Sequence, residues 1–137
     1  MIEKKYPLPP FTLETAKQKV QSAEDAWNSK NPQKISMAYT RDTEWRNREL
    51  FINGRIEVQE FLIKKWEAEL DYKLKKELWC FSDTKIAVRF EYEYRNEKNE
   101  WFRAYGNENW QFDKNGLMEK RYASINNASI KEIERKL

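Results

Sequence analysis

The sequence predicts an α+β protein in which three N-terminal helices pack on a strongly curved, mainly antiparallel sheet, forming a cone-shaped roll with a central cavity. Apolar residues repeat with a helical period as far as Leu70, and from Tyr72 the period changes to two. Only three glycines and four prolines occur in 137 residues, which favours long regular elements joined by short turns. A chain of this length fits a single domain, residues 1–137.

The helical part follows an extended, proline-rich arm, residues 1–11. Thr12 is the expected N-cap of the first helix, whose apolar stripe steps by three and four residues and ends at Trp27. Asn31 followed by a proline predicts the start of a second, short helix. A third helix is expected after Asn53. Its apolar face comprises Val58, Phe61, Leu62, Trp66 and Leu70.

Four runs of alternating apolar and polar residues predict a meander of antiparallel strands. A brief extended segment, Glu44 to Arg48, precedes the third helix. Gly106, in the middle of a run, is the expected site of a bulge or bend. The residues from Ser129 onward predict a short terminal helix. The four runs are Tyr72–Phe81, Lys85–Arg95, Trp101–Phe112 and Leu117–Asn126.

The composition excludes several classes of chemistry. Because the chain has no histidine, it has no Ser–His or Cys–His nucleophile, no His-ligated metal site and no imidazole base, and we expect neither metal nor cofactor. The single Cys80 lies between aromatic residues and is expected to be a buried thiol. A lone cysteine and the lack of an apolar signal or membrane-spanning run predict a cytoplasmic protein that does not bind membranes.

The charges are dense but mixed. Lysine and arginine total 26 against 23 acidic residues, and the two signs alternate along the chain. This pattern argues against nucleic-acid binding, since no stripe of one sign is formed. The densest basic stretch, Lys73 to Lys76, is read as a solvated strand face or, alternatively, as an anion-binding patch.

Strand alternation places one carboxylate on the apolar face that should meet the helices. This residue, Glu108, is the candidate catalytic residue, and Arg121 on the adjacent strand is its expected partner. Three alternatives remain open: a structural ion pair, a pair that contacts a ligand, and a parity error at Gly106. The other expected ligand-binding residues are Trp45, Asn47, Phe90, Tyr92, Trp110, Phe112, Ala123 and Ile125.

The opposite face of the sheet mixes charged and aromatic side chains, which is typical of a homodimer interface. In the last strand, Met118 and Tyr122 have the parity of this outer face, while Glu119 has that of the inner face. The interface is expected to include Arg89, Glu91, Trp101, Arg103 and Tyr105.

Longer motifs resemble the nuclear transport factor 2-like superfamily, which includes ketosteroid isomerase, limonene epoxide hydrolase, scytalone dehydratase and SnoaL-like polyketide cyclases. The chain resembles most closely the family called domain of unknown function 1348. The resemblance implies a cone-shaped fold and a dimer, but it implies no particular reaction. The motifs are Pro9-Pro10-Phe11-Thr12, Trp45-Arg46-Asn47-Arg48, Lys65-Trp66-Glu67-Ala68-Glu69-Leu70-Asp71-Tyr72, Tyr105-Gly106-Asn107-Glu108-Asn109-Trp110 and Ala123-Ser124-Ile125-Asn126.

The resemblance places the superfamily's catalytic positions on this sequence. Asn47 stands where the isomerase has its carboxylate base, and Ala23 stands where it has an oxyanion-hole tyrosine. Glu108 falls where the isomerase keeps a neutral carboxylic acid. Trp45 and Asn47 match an aromatic residue and an asparagine of the epoxide hydrolase, whose charged residues are replaced. The replacing residues are Phe90, Tyr92 and Ala123, so each known catalytic set is incomplete.

Two functions therefore stay open. The first is a small-molecule-binding protein or cofactor-free lyase or isomerase, in which Glu108 is an acid or base and Asn47 orients the ligand. The second is a non-enzymatic, dimeric interaction protein of the transport-factor type. An open cavity favours the first, and a cavity filled by aromatic side chains favours the second.

Overall fold

A computed structural model describes residues 2–137 and contains three helices and a six-stranded sheet, so the expected α+β fold is confirmed. The helices are α1 (Leu13–Asn28), α2 (Pro32–Ser36) and α3 (Gly54–Ala68). The strands are β1 (Tyr39–Asn47), β2 (Leu50–Asn53), β3 (Leu70–Phe81), β4 (Lys85–Arg95), β5 (Trp101–Phe112) and β6 (Met118–Ile130). The expected terminal helix is a single 3-10 turn, Glu132–Glu134.

The first two helices start where local sequence signals place them. The Thr12 hydroxyl accepts a hydrogen bond from the Thr15 amide at 3.2 Å, and the Thr15 hydroxyl accepts one from the Thr12 amide at 2.8 Å. The Asn31 side chain accepts from the Lys34 amide at 3.1 Å, with proline in the first turn of α2. Each bond satisfies an amide that has no partner within its helix.

The sheet has the strand order β2-β1-β6-β5-β4-β3. Strands β3 to β6 form the predicted antiparallel meander, and β1 adds to β6 in parallel. The segment expected from Glu44 to Arg48 is longer, and it continues into a second strand, β2, that the alternation did not predict. Arg48 has a φ of 57° in the tight turn between β1 and β2. The helices cover one face of this curved sheet.

The predicted inward parity of β4 is confirmed by burial. Its five alternating apolar side chains are each 9% exposed or less, and they pack against the helices. They are Ile86, Val88, Phe90, Tyr92 and Tyr94. Burial of such large apolar side chains is the main force that holds the helices on the sheet.

Gly106 is not a bulge. It pairs in register with Phe90 on β4 and Ile125 on β6. The Phe90 ring lies directly on Gly106, where a Cβ atom would overlap it. The glycine is therefore explained by a close aromatic contact rather than by a bend in the strand.

The break in parity lies further along the sheet. The register between β5 and β6 shifts between Gln111 and Phe112, and Phe112 faces Met118. Glu119 is the extra residue of this bulge, and its carboxylate accepts a hydrogen bond from the Gln111 side chain at 2.6 Å. The expected outward position of Met118 is wrong, because the bulge turns its side chain into the core.

The last residues of the chain cover one end of the outer face. The expectation of an exposed Trp101 is wrong: it is 6% exposed, and the Arg135 guanidinium lies 4.1 Å from its ring centroid. Glu93 is also buried, and its carboxylate accepts hydrogen bonds from Arg103 Nε at 2.8 Å and from the Leu137 amide at 3.0 Å. This end of the outer face is thus occupied by the chain itself.

The expectation of a buried Cys80 is also wrong, because its side chain is exposed. The register between β3 and β4 shifts between Leu78 and Cys80, which places Cys80 opposite Ala87. Strand β3 is an edge strand, and Trp79 and Phe81 are themselves exposed, so these flanking aromatic residues do not bury the thiol. Within residues 2–137, no helix is both long and apolar enough to cross a membrane.

Candidate ligand-binding site

Glu108 lies at the centre of a buried charge cluster on the inner face of β5. Its side chain is 1% exposed. One carboxylate oxygen, Oε2, contacts Lys76 Nζ. The other, Oε1, accepts from Arg121 Nε at 3.0 Å and from Trp110 Nε1 at 2.6 Å. The inward position rules out a parity error at Gly106, and the expected pairing with Arg121 is present.

Arg121 connects this carboxylate to β1. Its Nη1 donates to Asn47 Oδ1 at 3.1 Å. Its guanidinium carbon lies 4.6 Å from the Trp45 ring centroid and 4.9 Å from that of Trp27. The two indoles are stacked with centroids 5.9 Å apart. Cation–π contacts and hydrogen bonds to Glu108 and Asn47 therefore fix the guanidinium in one orientation.

Lys76 belongs to the cluster, and the sequence reasoning missed it. The stretch containing it was read as a solvated strand face or an anion-binding patch, but Lys76 is only 7% exposed. The alternation of the strand indicates an inward position for Lys76, because Lys76 lies two residues after Leu74 and four after Tyr72, which are both buried. Its Nζ lies 4.6 Å from the Phe90 ring centroid and 5.5 Å from that of Trp110.

The cluster contains two cations and one carboxylate, and the pKa directions follow from this. Burial raises the pKa of the Glu108 carboxyl, but the charges of Lys76 and Arg121 outweigh burial and hold that pKa below its usual value. Burial lowers the pKa of Lys76, and the Arg121 charge lowers it further, against the opposing effect of Glu108. Glu108 is therefore ionised at neutral pH, with both oxygens engaged by donors.

A cavity of about 270 Å³ lies beside this cluster, beneath α1 and α2. Its wall is mainly apolar and its rim is polar. The rim side chains belong to Lys5, Lys19, Ser22, Asp25 and Lys34. The wall is formed by Trp27, Ile35, Tyr39, Trp110, Phe112 and Met118.

Two aromatic residues separate the cavity from the charges. Trp110 lines the cavity with its ring, while its indole N–H donates to Glu108. Trp27 also lines the cavity, and its Nε1 donates to the Tyr39 hydroxyl at 3.3 Å while Arg121 lies against its ring. A molecule in the cavity would thus contact the indoles that hold the cluster, with no direct contact to the Glu108 carboxylate.

The predicted site residues fall into three groups. Trp110 and Phe112 line the cavity. Trp45, Asn47, Glu108 and Arg121 form the cluster behind it. Phe90 and Tyr92 stack on each other at 6.2 Å, and Ala123 and Ile125 pack in the core beside them, all four outside the cavity lining.

The rim contains a second residue that the sequence reasoning missed. Lys19 is 6% exposed, although it lies on α1 among polar neighbours. The signal was its spacing, three residues after Ala16 and four before Ala23 on the apolar stripe. Among residues 2–137, no three His, Cys, Asp or Glu side chains are grouped so that they could hold a metal ion.

The model of the family described as protein of unknown function (DUF1348) matches residues 9–137. The chain belongs to this family. No curated protein matches the chain.

Solved structures with the same fold are distant in sequence. An epoxide hydrolase/cyclase-like enzyme, SalBIII, of pyran ring formation in the polyether salinomycin has a TM-score of 0.73 at 13% identity, covering 82% of this chain and 92% of that one. An NTF2-like protein of unknown function from Burkholderia pseudomallei has a TM-score of 0.72 at 15% identity, covering 81% and 90%. A Mycobacterium tuberculosis protein in complex with estradiol-17beta-hemisuccinate has a TM-score of 0.67 at 14% identity, covering 79% and 91%. The fold is thus that of the nuclear transport factor 2-like proteins.

Proposed function

We propose that this protein binds a small, mainly apolar molecule in the cavity beneath α1 and α2. The observation that carries the proposal is the cavity itself, about 270 Å³ with a mainly apolar wall, beside a buried cluster of charged side chains. Concave apolar sites with a few fixed polar groups are the usual form of small-molecule sites. A protein of the same fold is solved with estradiol-17beta-hemisuccinate, which supports the view that this fold accommodates an apolar ligand.

Among the two roles expected for Glu108, the contacts argue against a general acid. An acid must hold a proton near neutral pH, and the depressed pKa of Glu108 leaves it ionised. Its two oxygens already accept from Lys76, Arg121 and Trp110, which weakens it as a base. We therefore propose that the protein binds a ligand and that Glu108 fixes the Trp110 ring in the cavity wall. A cofactor-free lyase or isomerase reaction has less support from these contacts.

A cavity-filling substitution tests the site. Ala23 lies in the cavity lining on α1, and Ala23→Phe places a ring where the ligand would lie. We expect wild type to bind the neutral probe 2-naphthamide, read by quenching of Trp27 and Trp110 fluorescence, and Ala23→Phe to weaken binding about tenfold or more.

The control is Ala68→Phe, which adds the same ring at an exposed position at the end of α3. This variant should bind 2-naphthamide as wild type does. The proposal is wrong if wild type binds no probe, or if Ala23→Phe binds as tightly as wild type while remaining folded by circular dichroism.

The second candidate function is a dimeric interaction protein, and the outer face of the sheet favours it. Trp79 and Tyr105 are 62% and 45% exposed there, and Arg89 lies 5.1 Å from the Trp79 ring centroid. This face has basic and acidic side chains side by side, including Arg89 and Glu91, so two copies related by a two-fold axis would present complementary charges. Of the predicted interface, Arg89, Glu91 and Tyr105 lie on this open part of the face.

A further inference from the structure

Lys19 is a buried cation at the rim of the cavity. Its Nζ donates to the backbone carbonyls of Lys5 and Gly116, both at 2.8 Å. An ammonium has three donors, so one N–H remains after these two bonds. Within residues 2–137, no carboxylate lies within 4.0 Å of the Lys19 ammonium, although the residue is only 6% exposed.

The rim as a whole has an excess of positive charge. Lys5 from the arm, Lys19 from α1 and Lys34 from α2 line it, against a single carboxylate, that of Asp25. Below the rim the wall changes to apolar side chains, among them Phe112, whose ring centroid lies 5.1 Å from Lys19 Nζ. The cavity lining therefore combines apolar side chains with a net positive charge.

We infer that the ligand is an amphipathic organic anion, with its apolar body in the cavity and a carboxylate or similar group on Lys19. The inference rests on the proposed function and names the class of ligand. A buried cation without a counter-ion is costly, and an anionic group beside it removes that cost. An apolar wall rejects a second charge, so the ligand has its charge at one end only.

The protonation of Lys19 makes this site sensitive to pH. Burial, together with the charge of Lys5, lowers the pKa of Lys19 to about 8, against the opposing charge of Asp113. Below that value the ammonium is charged and attracts the carboxylate, and above it the attraction is lost. The other charged groups at the rim are Lys34 and Asp25, whose charges oppose each other.

A structural role for Lys19 must be separated from a binding role. Its two hydrogen bonds tie the arm at Lys5 to the turn before β6 at Gly116, where Lys5 N also donates to the Asn115 carbonyl at 2.8 Å. Loss of that tie would loosen the cavity for any ligand. Loss of a charge contact would weaken the binding of anionic ligands only. A matched pair of probes distinguishes the two.

The experiment compares 2-naphthoate with its neutral amide, 2-naphthamide, by fluorescence titration near neutral pH. Wild type should prefer the carboxylate by about tenfold or more, because a hydrogen bond between an ammonium and a carboxylate is stronger than one to a neutral amide. Lys19→Met should abolish the preference, so the readout is the ratio of the two affinities, because loss of the tie to Lys5 and Gly116 lowers both affinities alike. Lys17→Met, an exposed position on the same helix, should keep the full preference.

The preference of wild type should also fall as pH rises above about 8, which tests the inference without a variant. The inference is overturned if wild type binds both probes equally, or if Lys19→Met retains the preference. It is also overturned if Lys19→Met lowers the affinity for both probes by the same factor. That result would show that Lys19 only holds the arm in place. In each of these cases the proposed function stands, whereas binding of neither probe overturns both.

Discussion

At the scale of the residue, the buried charge cluster has more cations than carboxylates. Two buried cations, Lys76 and Arg121, contact one carboxylate, Glu108. Four aromatic rings lie against the cations and offset part of the excess charge through their π faces. They are Phe90, Trp110, Trp27 and Trp45. Glu108 is thus the residue on which the stability of the whole group depends.

Replacing Glu108 by glutamine should destabilise the protein by about 3–5 kcal/mol, because both cations would lose their buried counter-ion. The double variant Glu108→Gln with Lys76→Met should recover a large part of that loss, since one cation is then removed. Urea unfolding at neutral pH measures both changes. Equal stability of wild type and the single variant would show that the carboxylate does not compensate the cations.

The same group sets a pH dependence. The pKa of Glu108 is lowered in the folded chain, so its contribution to stability is complete above the ordinary carboxyl pKa and is lost as pH falls through the folded value. Wild type should therefore lose stability in acid. Since glutamine does not titrate, the difference in unfolding free energy between wild type and Glu108→Gln should shrink below about pH 4.

At the scale of the element, small departures from regularity set which side chains face inward. Gly106 keeps β5 flat against the Phe90 ring, and the bulge at Glu119 turns Met118 into the cavity. The C-terminal turn covers Trp101 and so reduces the open part of the outer face. These features affect the core, the cavity lining and the outer face, respectively.

Gly106→Ala should destabilise the protein by about 1–3 kcal/mol, because the added methyl group overlaps the Phe90 ring. In the background Phe90→Leu the same substitution should be much less costly, because the shorter side chain leaves room for a methyl group. Chemical denaturation of the four proteins gives the coupling between the two positions. If the free-energy changes of the two substitutions simply add, the two positions are not in contact.

At the scale of the whole molecule, the curved sheet presents one face to the helices and the other to solvent. The inner face holds the core, the charge cluster and the cavity. The outer face has exposed aromatic side chains, with Tyr122 at 39% in addition to Trp79 and Tyr105. Such residues are typical of protein interfaces. The two candidate functions thus belong to opposite faces and do not exclude each other.

If two copies associate through the outer face, the protein should sediment with the mass of a dimer. Tyr105→Arg should shift it toward the monomer, because a charge would be buried at the interface next to Arg89. Ile56→Arg, at a still more exposed apolar position on α3, should leave the dimer intact. A wild type that is monomeric at all concentrations would rule out this interface.

Local sequence patterns predicted the three helices, the four-stranded meander, the inward parity of β4 and the pairing of Glu108 with Arg121. These follow from local rules, because caps, turns and alternation act between neighbouring residues. The tertiary structure was needed to bring Lys76 against Glu108 and to place Lys19 in a cavity lining, with no carboxylate of residues 2–137 within 4.0 Å. It also decided that Cys80 is exposed. Local patterns place Lys76 on the inner face and Lys19 near the apolar stripe of α1, but the groups that each side chain meets are distant in sequence and depend on strand register and the docking of the arm.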